Sequence, residues 1–274
     1  MESFSSSFPY APLWVLALVF FASLILAREL GAFVRARQGP REAGESEAFA
    51  MTSVLGLLAL LIGFTFSIAL SRYEARRELV VKEANAIGTT WLRMQMLDDV
   101  DRARMEAQLR RYVDARVAFG QAATDAEELA QYRRTEALQT ELWTALMSVI
   151  APFRDSPRAS LLVSTANESI DLAAERFATR QAHIPKRILR LLWLFALLAA
   201  AMVGYERASH RKSTTVLLIL FTLAATLVVD LDRPSTGKIN VPQQPMLDLR
   251  DSLGPPSPAA RIPRVSPAGS TTQE

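Results

Sequence analysis

Four stretches of the chain are long, apolar and nearly free of charged residues. They cover residues 11–27, 50–70, 188–205 and 213–230. A helix crosses a bilayer with about 20 residues, because each residue adds about 1.5 Å along the axis. The pattern therefore predicts four transmembrane helices in two pairs. For the third stretch, in which Arg190 interrupts the apolar run, a helix buried in a soluble core is the alternative.

The first apolar stretch is predicted to remain in the protein as a span. Signal peptides begin with a positively charged segment and end at a small-residue cleavage pattern. The residues before this stretch contain Glu2 and no Lys or Arg, and no such cleavage pattern precedes the arginines at its end.

The region between the two pairs of spans, residues 71–187, is hydrophilic and shows a helical pattern throughout. Apolar residues recur three or four positions apart, for example at Met105, Leu109 and Tyr112. Breaks near residues 98–101, 120–125 and 152–157 divide the region into about four helices. The first of these is predicted to continue directly from the second span.

The predicted fold class is therefore an all-α membrane protein with a helical cytoplasmic domain between the two pairs of spans. Residues 1–49 hold the first span and a short connection. Residues 50–253 hold the span at 50–70, the helical region at 71–187 and the spans at 188–205 and 213–230. Residues 254–274 are rich in Pro, Ser and Gly, a composition typical of a disordered tail.

The distribution of Lys and Arg predicts the orientation in the membrane. More of these residues flank the span ends that join the long loop and the C-terminal segment than flank the opposite ends. The positive-inside rule then places both termini and residues 71–187 in the cytoplasm of a multi-pass inner-membrane protein. Taken alone, the arginines that follow the first span favour the opposite orientation.

The second span has two faces of different character. Gly56 and Gly63 lie within about 20° of each other on a helical wheel, and such small residues allow another helix to pack closely. The opposite face is predicted to line a pore with Leu61, Phe64, Thr65, Ile68 and Arg72. In this interpretation the turn at residues 64–68 is an apolar constriction and Arg72 attracts anions. The alternative is that the face contacts lipid and its arginines reach the head groups.

The fourth span ends in the sequence DLDRP, which places two carboxylates just before a proline. These carboxylates are predicted to pair with arginines at the end of the second span, because both ends lie on the same side of the membrane in the predicted topology. The candidates are Arg72, Arg76, Arg77, Asp230 and Asp232.

Composition excludes several classes of function. The chain has no cysteine, and its two histidines, His183 and His210, have no partner at the spacing of metal ligands. The net charge of +3 comes without a basic patch of the kind that binds nucleic acid. No phosphate loop and no nucleophile elbow are present. We therefore expect no metal, no cofactor, no nucleic-acid partner and no enzymatic activity.

Several strings resemble the bestrophin-like domain family, which consists of bacterial four-span membrane proteins of mostly unassigned function. They are GFTFSIALSRYEARR in the second span, EANAIGT at residues 83–89, DLDRP, and QQPMLDLR at residues 243–250. The resemblance covers about residues 50–253 and implies a likeness to bestrophins, which are pentameric anion channels with cytoplasmic termini. It also implies that the bestrophin pore constriction falls at residues 64–68. The acidic run that binds calcium in bestrophins after the fourth span is absent from this sequence.

The favoured functional interpretation is an oligomeric anion channel of the chloride type, with the second span lining the pore. It implies membrane lipid and other copies of the chain as partners, and an anion as ligand. The alternative is a membrane scaffold or a sensor without enzymatic activity. Stator-type proton channels share the four-span layout, but none of their residues are found here.

Overall fold

The computed structural model describes residues 12–38, 45–207, 210–234 and 237–254, which are helical almost throughout and contain no strand. The helices are α1 (Leu13–Arg37), α2 (Glu45–Met94), α3 (Asp99–Gln121), α4 (Asp125–Ile150), α5 (Pro157–Gln181), α6 (Lys186–Glu206), α7 (Arg211–Asp232) and α8 (Gln244–Ser252). A short 3-10 turn, Ala151–Phe153, follows α4.

Four helices are long and apolar enough to span a membrane, as the sequence predicts. They lie within Leu13–Arg37, Phe49–Met94, Pro157–Glu206 and Arg211–Asp232. The predicted breaks in the hydrophilic region also match the ends of α2, α3 and α4. The first connection is shorter than predicted, because α1 continues to Arg37 and α2 already begins at Glu45. The predicted tail lies outside the described residues after Gly254.

The described part of the chain forms two compact units, and the predicted domain bounds remain a prediction. The first unit comprises the described residues among 1–79 and 176–242, and the second comprises those among 80–175 and 243–274. The first span therefore belongs to the same unit as the other three spans, and α2 and α5 each contribute to both units.

The first unit has an apolar core in which α1, α2, α6 and α7 meet. Leu24, Leu58, Leu192 and Leu218 are buried there, with three alanines of α6 between them. A smaller cluster of Ala69, Ile184, Val228 and Leu231 lies where α7 ends. The leucines supply the buried apolar area, and the alanines allow the helices to approach each other closely.

Two glycines set the distance between α1 and α6. A Cβ atom on Gly204 would lie 2.7 Å from the carbonyl carbon of Arg28, and one on Gly31 would lie 2.8 Å from that of Ala201. Real Cβ atoms do not approach a backbone so closely, so these positions admit only glycine at the observed separation.

Charged residues inside α1 explain why this helix extends past the apolar stretch. The Arg28 side chain is buried and donates hydrogen bonds to the Thr215 hydroxyl at 2.6 Å and to Glu29 at 2.6 Å. Glu29 also pairs with Arg211 at 3.1 Å. The charges are thus neutralised by partners on the same helix and on α7, and the helix need not end where the first charge appears.

The second unit is a helical bundle with a polar pair at its centre. Glu83 of α2 forms an ion pair with Arg116 of α3, and both side chains are fully buried. The Arg116 guanidinium also lies over the ring of Phe119, 4.4 Å from its centre. Burial alone lowers the pKa of Arg116, but the Glu83 carboxylate raises it, and the pKa lies above its ordinary value. Arg116 is therefore charged, and its counter-charge is Glu83.

Hydroxyl groups join α2 to α5 within the same unit. Thr90 contacts the Ser169 hydroxyl at 3.0 Å and donates to the Thr165 carbonyl at 3.1 Å. Tyr112 of α3 donates to the Ser169 carbonyl. These bonds satisfy hydroxyls that are buried away from water, which would otherwise destabilise the bundle.

Candidate functional site

The part of α2 in the first unit has one face packed against its own chain. Leu58, Thr65, Ala69 and Arg76 are all nearly inaccessible to solvent on this face. Thr65 donates its hydroxyl to the Leu61 carbonyl one turn earlier at 2.7 Å. A threonine bonded to its own helix is satisfied without water, so it can be buried in an apolar core.

The other side of α2 is open. We define the open face by eight residues that follow one another at alternating spacings of four and three, all of them exposed: Ser53, Leu57, Leu60, Phe64, Ser67, Ser71, Glu74 and Glu78. Gly56 and Gly63 lie beside this row, and a Cβ atom added to either would meet no atom of the described residues within 4 Å. Alternating spacings of four and three are typical of helices that pack along their length against other helices.

Within one chain the packing of the two faces therefore differs from the predicted packing, while the pore-lining role remains a prediction. The glycine face, predicted to pack closely, is exposed, and the face with Thr65 and Arg76 is packed instead. Among the predicted pore-lining residues, Phe64 and Ile68 are exposed, Leu61 and Arg72 are half-buried, and Thr65 is buried. A helical wheel gives the angle between two faces but does not tell which of them meets the core.

Arg76 is the arginine that α2 directs to the end of α7. Its guanidinium donates to the carbonyl oxygens of Leu231 at 3.2 Å and Asp232 at 3.3 Å. It also donates to Ala182 at 2.7 Å and Thr179 at 3.4 Å, where α5 ends. The last carbonyls of a helix have no partner within that helix. Arg76 therefore caps two helix ends at once, with its positive charge at the negative ends of their dipoles.

The two carboxylates at the end of α7 hold neighbouring backbone. Asp232 accepts a hydrogen bond from the Ile184 amide at 2.9 Å, just before α6, and Asp230 accepts one from the Lys238 amide at 2.6 Å. Both aspartates are nearly inaccessible to solvent. The sequence correctly indicated that an arginine of α2 contacts the end of α7. It predicted the aspartate carboxylates as the partners, whereas Arg76 binds the backbone carbonyls. A direct ion pair between these aspartates and Arg72, Arg76 or Arg77 remains a prediction.

Removing the Arg76 guanidinium should destabilise the first unit. In the Arg76→Met variant the four carbonyls lose the guanidinium as a donor while they stay largely shielded from water, although the Thr179 carbonyl keeps the Ala182 amide as a donor. We expect a loss of about 3 kcal/mol. The measurement is the thermal unfolding of the full chain purified in detergent. Arg77→Met is the matched control, because Arg77 is the next residue and is exposed. Equal unfolding temperatures for the two variants would contradict the capping role.

The exposed faces of the other three spans differ in composition from the open face. Between their charged ends they expose large apolar residues, which include Trp14, Leu18, Leu26, Leu30 and Phe33 in α1, Leu191, Leu194 and Leu198 in α6, and Val216, Ile219, Leu220, Leu223 and Leu227 in α7. Such surfaces are suited to lipid tails. The open face instead has three apolar residues with serines on both sides, beside two glycines, and it ends in two glutamates.

The polar residues of α7 do not form a second site. Thr222 donates to the Leu218 carbonyl at 2.8 Å, and Thr226 donates to the Thr222 carbonyl at 2.7 Å. Both hydroxyls are satisfied by their own helix. Across the described parts of the chain, no group of three or more acidic or histidine side chains could hold a metal ion.

Solved structures that share this fold include those of a bacterial membrane protein. The crystal structure of a bestrophin homolog from Klebsiella pneumoniae matches with a TM-score of 0.65 and 12% identity, over 86% of this chain and 95% of that chain. A single-residue variant of that homolog matches with a TM-score of 0.67 and 11% identity, over 89% and 96%. No curated protein matches the sequence.

The sequence itself identifies the family. The profile of the Bestrophin-like domain matches residues 15–246, which include all four spans, the helical region between them and the segment after α7. The match extends the resemblance seen in the sequence to the first span. This chain is a membrane protein that belongs to the Bestrophin-like domain family.

Proposed function

We propose that the protein is an oligomeric ion channel whose conduction path is lined by the open face of α2. The observation that carries this proposal is the exposure of a continuous row of leucine, phenylalanine and serine, together with two glycines, on the longest helix. The other three spans expose large apolar residues that suit lipid. Several copies of α2 arranged around one axis would cover the row and surround a narrow path.

The apolar part of the open face is suited to a constriction. Leu57, Leu60 and Phe64 are 48%, 53% and 61% exposed, so these large side chains extend away from their own subunit. In an oligomer they would form rings at successive levels of the helix. An apolar ring can gate a channel by excluding water without binding the ion tightly. Thr65 is not part of this lining, because its own chain buries it.

The small residues support close association of the copies. Gly56 and Gly63 leave open space beside the apolar row. Small residues are a common basis of contact between membrane helices, where apolar burial gives little net gain relative to lipid. In this arrangement the glycine surface predicted from the sequence is a contact between subunits.

The proposed orientation places both termini in the cytoplasm, as the count of Lys and Arg indicates. It puts the end of α2 that carries Glu74 and Glu78 on the cytoplasmic side, next to the helical region. Arg76 is at the same end, where it holds the ends of α5 and α7.

Recording from planar bilayers that contain the purified full chain tests the proposal. We expect unitary currents, and Phe64→Ala should increase the unitary conductance because it widens the narrowest ring. Leu220→Ala in α7 is the matched control, since Leu220 is 57% exposed on a lipid-type face. A stable oligomer that never conducts would contradict the channel and favour the scaffold alternative. An equal effect of both substitutions would contradict the role of α2.

A further inference from the structure

We propose that the phosphate of an anionic phospholipid binds to Arg211 and Lys212, at the side of the first unit where α1 ends and α7 begins. The proposal rests on the unequal reach of these two spans, on the exposed charges between them and on the position of Lys212. It does not depend on whether the protein conducts ions.

The two spans end at different levels along the membrane normal. α1 exposes large apolar side chains as far as Phe33 and Val34, and it continues to Arg37. α7 begins at Arg211, whose guanidinium pairs with Glu29 of α1 at 3.1 Å. Since each residue adds about 1.5 Å along a helix, α7 begins about 10 Å short of the level at which α1 ends.

The apolar part of α7 is shorter than the hydrocarbon core of a bilayer. Its uncharged stretch, residues 213–229, covers about 25 Å, whereas the hydrocarbon core is about 30 Å thick. A span shorter than the bilayer thins the lipid layer around it. Lipids beside the start of α7 therefore place their phosphates deeper than lipids beside the end of α1.

Charged side chains face the lipid at that deeper level. Glu29 lies between Leu26 and Phe33 on the exposed side of α1, and these two apolar side chains are 71% and 51% exposed. The Glu29 side chain is itself 37% exposed, and that of Arg211 is 67% exposed. Exposed charges are costly in hydrocarbon. They are stable at this level because polar head groups reach them.

Lys212 supplies the second cation next to a surface for an acyl chain. Lys212, Val216, Ile219 and Leu223 follow one another at spacings of four, three and four, and all four are exposed. Residues at these spacings share one face of a helix. The Lys212 ammonium group has no hydrogen-bond or ion-pair partner among the described residues. It therefore lies at the end of an apolar row with its charge uncompensated.

The charges of this cluster add up to a positive site. Glu29 accepts hydrogen bonds from Arg28 at 2.6 Å, and its other carboxylate oxygen pairs with Arg211. Arg28 compensates the single negative charge of Glu29, so Arg211 and Lys212 contribute a net positive charge. A guanidinium has five N–H donors, and those that Arg211 does not direct to Glu29 can donate to phosphate oxygens.

Native mass spectrometry of the full chain tests the proposal with phosphatidylglycerol and with phosphatidylcholine of the same acyl chains. We expect the natural chain to bind phosphatidylglycerol about 20-fold more tightly. Arg211→Gln together with Lys212→Gln should remove this preference. Lys212→Gln alone, which keeps the ion pair between Glu29 and Arg211, should lower the affinity for phosphatidylglycerol about fivefold.

Two controls separate a lipid site from a general effect of charge. Arg133→Gln together with Arg134→Gln removes two neighbouring exposed cations of α4, which is not one of the spans. The change in net charge is the same, so the affinity should stay unchanged. Inorganic phosphate offers the same charged group without acyl chains and should not displace the lipid. Gel filtration and thermal unfolding verify that each variant is folded.

Several results would overturn the proposal. Equal affinities of the natural chain for the two lipids would do so, and so would an equal loss in the control pair. An unchanged affinity of folded Lys212→Gln would exclude the role of Lys212. Displacement of phosphatidylglycerol by inorganic phosphate would show a site for free anions and would contradict the assignment to lipid.

Discussion

Gly204→Ala and Gly31→Ala should each separate α1 from α6 and strongly destabilise the four-span unit. The added Cβ atom would overlap a backbone carbonyl of the facing helix, and neither backbone can rotate away as a side chain can. Overpacking of this kind costs about 1–3 kcal/mol where neighbours can adjust, and we expect the upper end here. Thermal unfolding of the full chain in detergent measures the loss.

Two other glycines of the same protein provide the control for this prediction. A Cβ atom on Gly56 or Gly63 would meet no described atom of the chain within 4 Å. Because both glycines lie in the proposed contact between subunits, the comparison uses monomer dissociated in detergent. There, alanine at these positions should leave the unfolding temperature unchanged or raise it slightly, since alanine favours a helix more than glycine does. If all four variants unfold at the same temperature, the close crossing of α1 and α6 does not limit stability.

The second large effect is expected at the buried pair of Glu83 and Arg116. Glu83→Gln removes the counter-charge of a fully buried arginine, whose Nη1 and Nη2 atoms have no hydrogen-bond partner among the described residues. Removing one partner of a buried ion pair typically costs about 3–5 kcal/mol. In a chain of this size that corresponds to a decrease of about 10 °C in unfolding temperature.

An exposed ion pair in the same unit serves as control. Arg111 and Glu141 are 3.1 Å apart, with side chains 60% and 51% exposed. Exposed pairs contribute about 0–1 kcal/mol, so Glu141→Gln should hardly change the unfolding temperature. Similar losses for Glu83→Gln and Glu141→Gln would show that burial of the Glu83 pair does not matter.

The response to pH distinguishes the two ways of breaking the buried pair. In Arg116→Met the buried Glu83 loses its ion pair with Arg116, so the pKa of its carboxyl group should be higher than in the natural chain. The folded variant then binds a proton more readily than the folded natural chain, and the difference in stability between the two should shrink as the pH falls. Glu83→Gln should show no such recovery, because arginine stays charged at every usable pH. Parallel pH profiles would contradict this account.

The sequence by itself determined the class of fold and the course of the chain. Four apolar stretches require helices in a membrane, because lipid offers no partner for backbone amides and carbonyls. The helical spacing of residues such as Met105 and Leu109 likewise predicted the bundle between the spans. Long apolar stretches and helical spacing are both properties of the local sequence, so they can be recognised without knowledge of the tertiary contacts. The resemblance at EANAIGT and DLDRP indicated the correct family from the sequence alone.

The tertiary structure decided which face of α2 meets the core and what Arg76 binds. The wheel placed Gly63 and Arg72 on opposite sides, but either side could have packed, since small residues and satisfied polar residues are both compatible with burial. Arg76 donates hydrogen bonds to the carbonyls where α5 and α7 end. Every residue has a backbone carbonyl, so the sequence does not indicate which of them an arginine will bind. Glu83 and Arg116 are far apart in the chain, so only folding brings them together. Glu74 lies on the open face because the opposite face of α2 packs against its own chain.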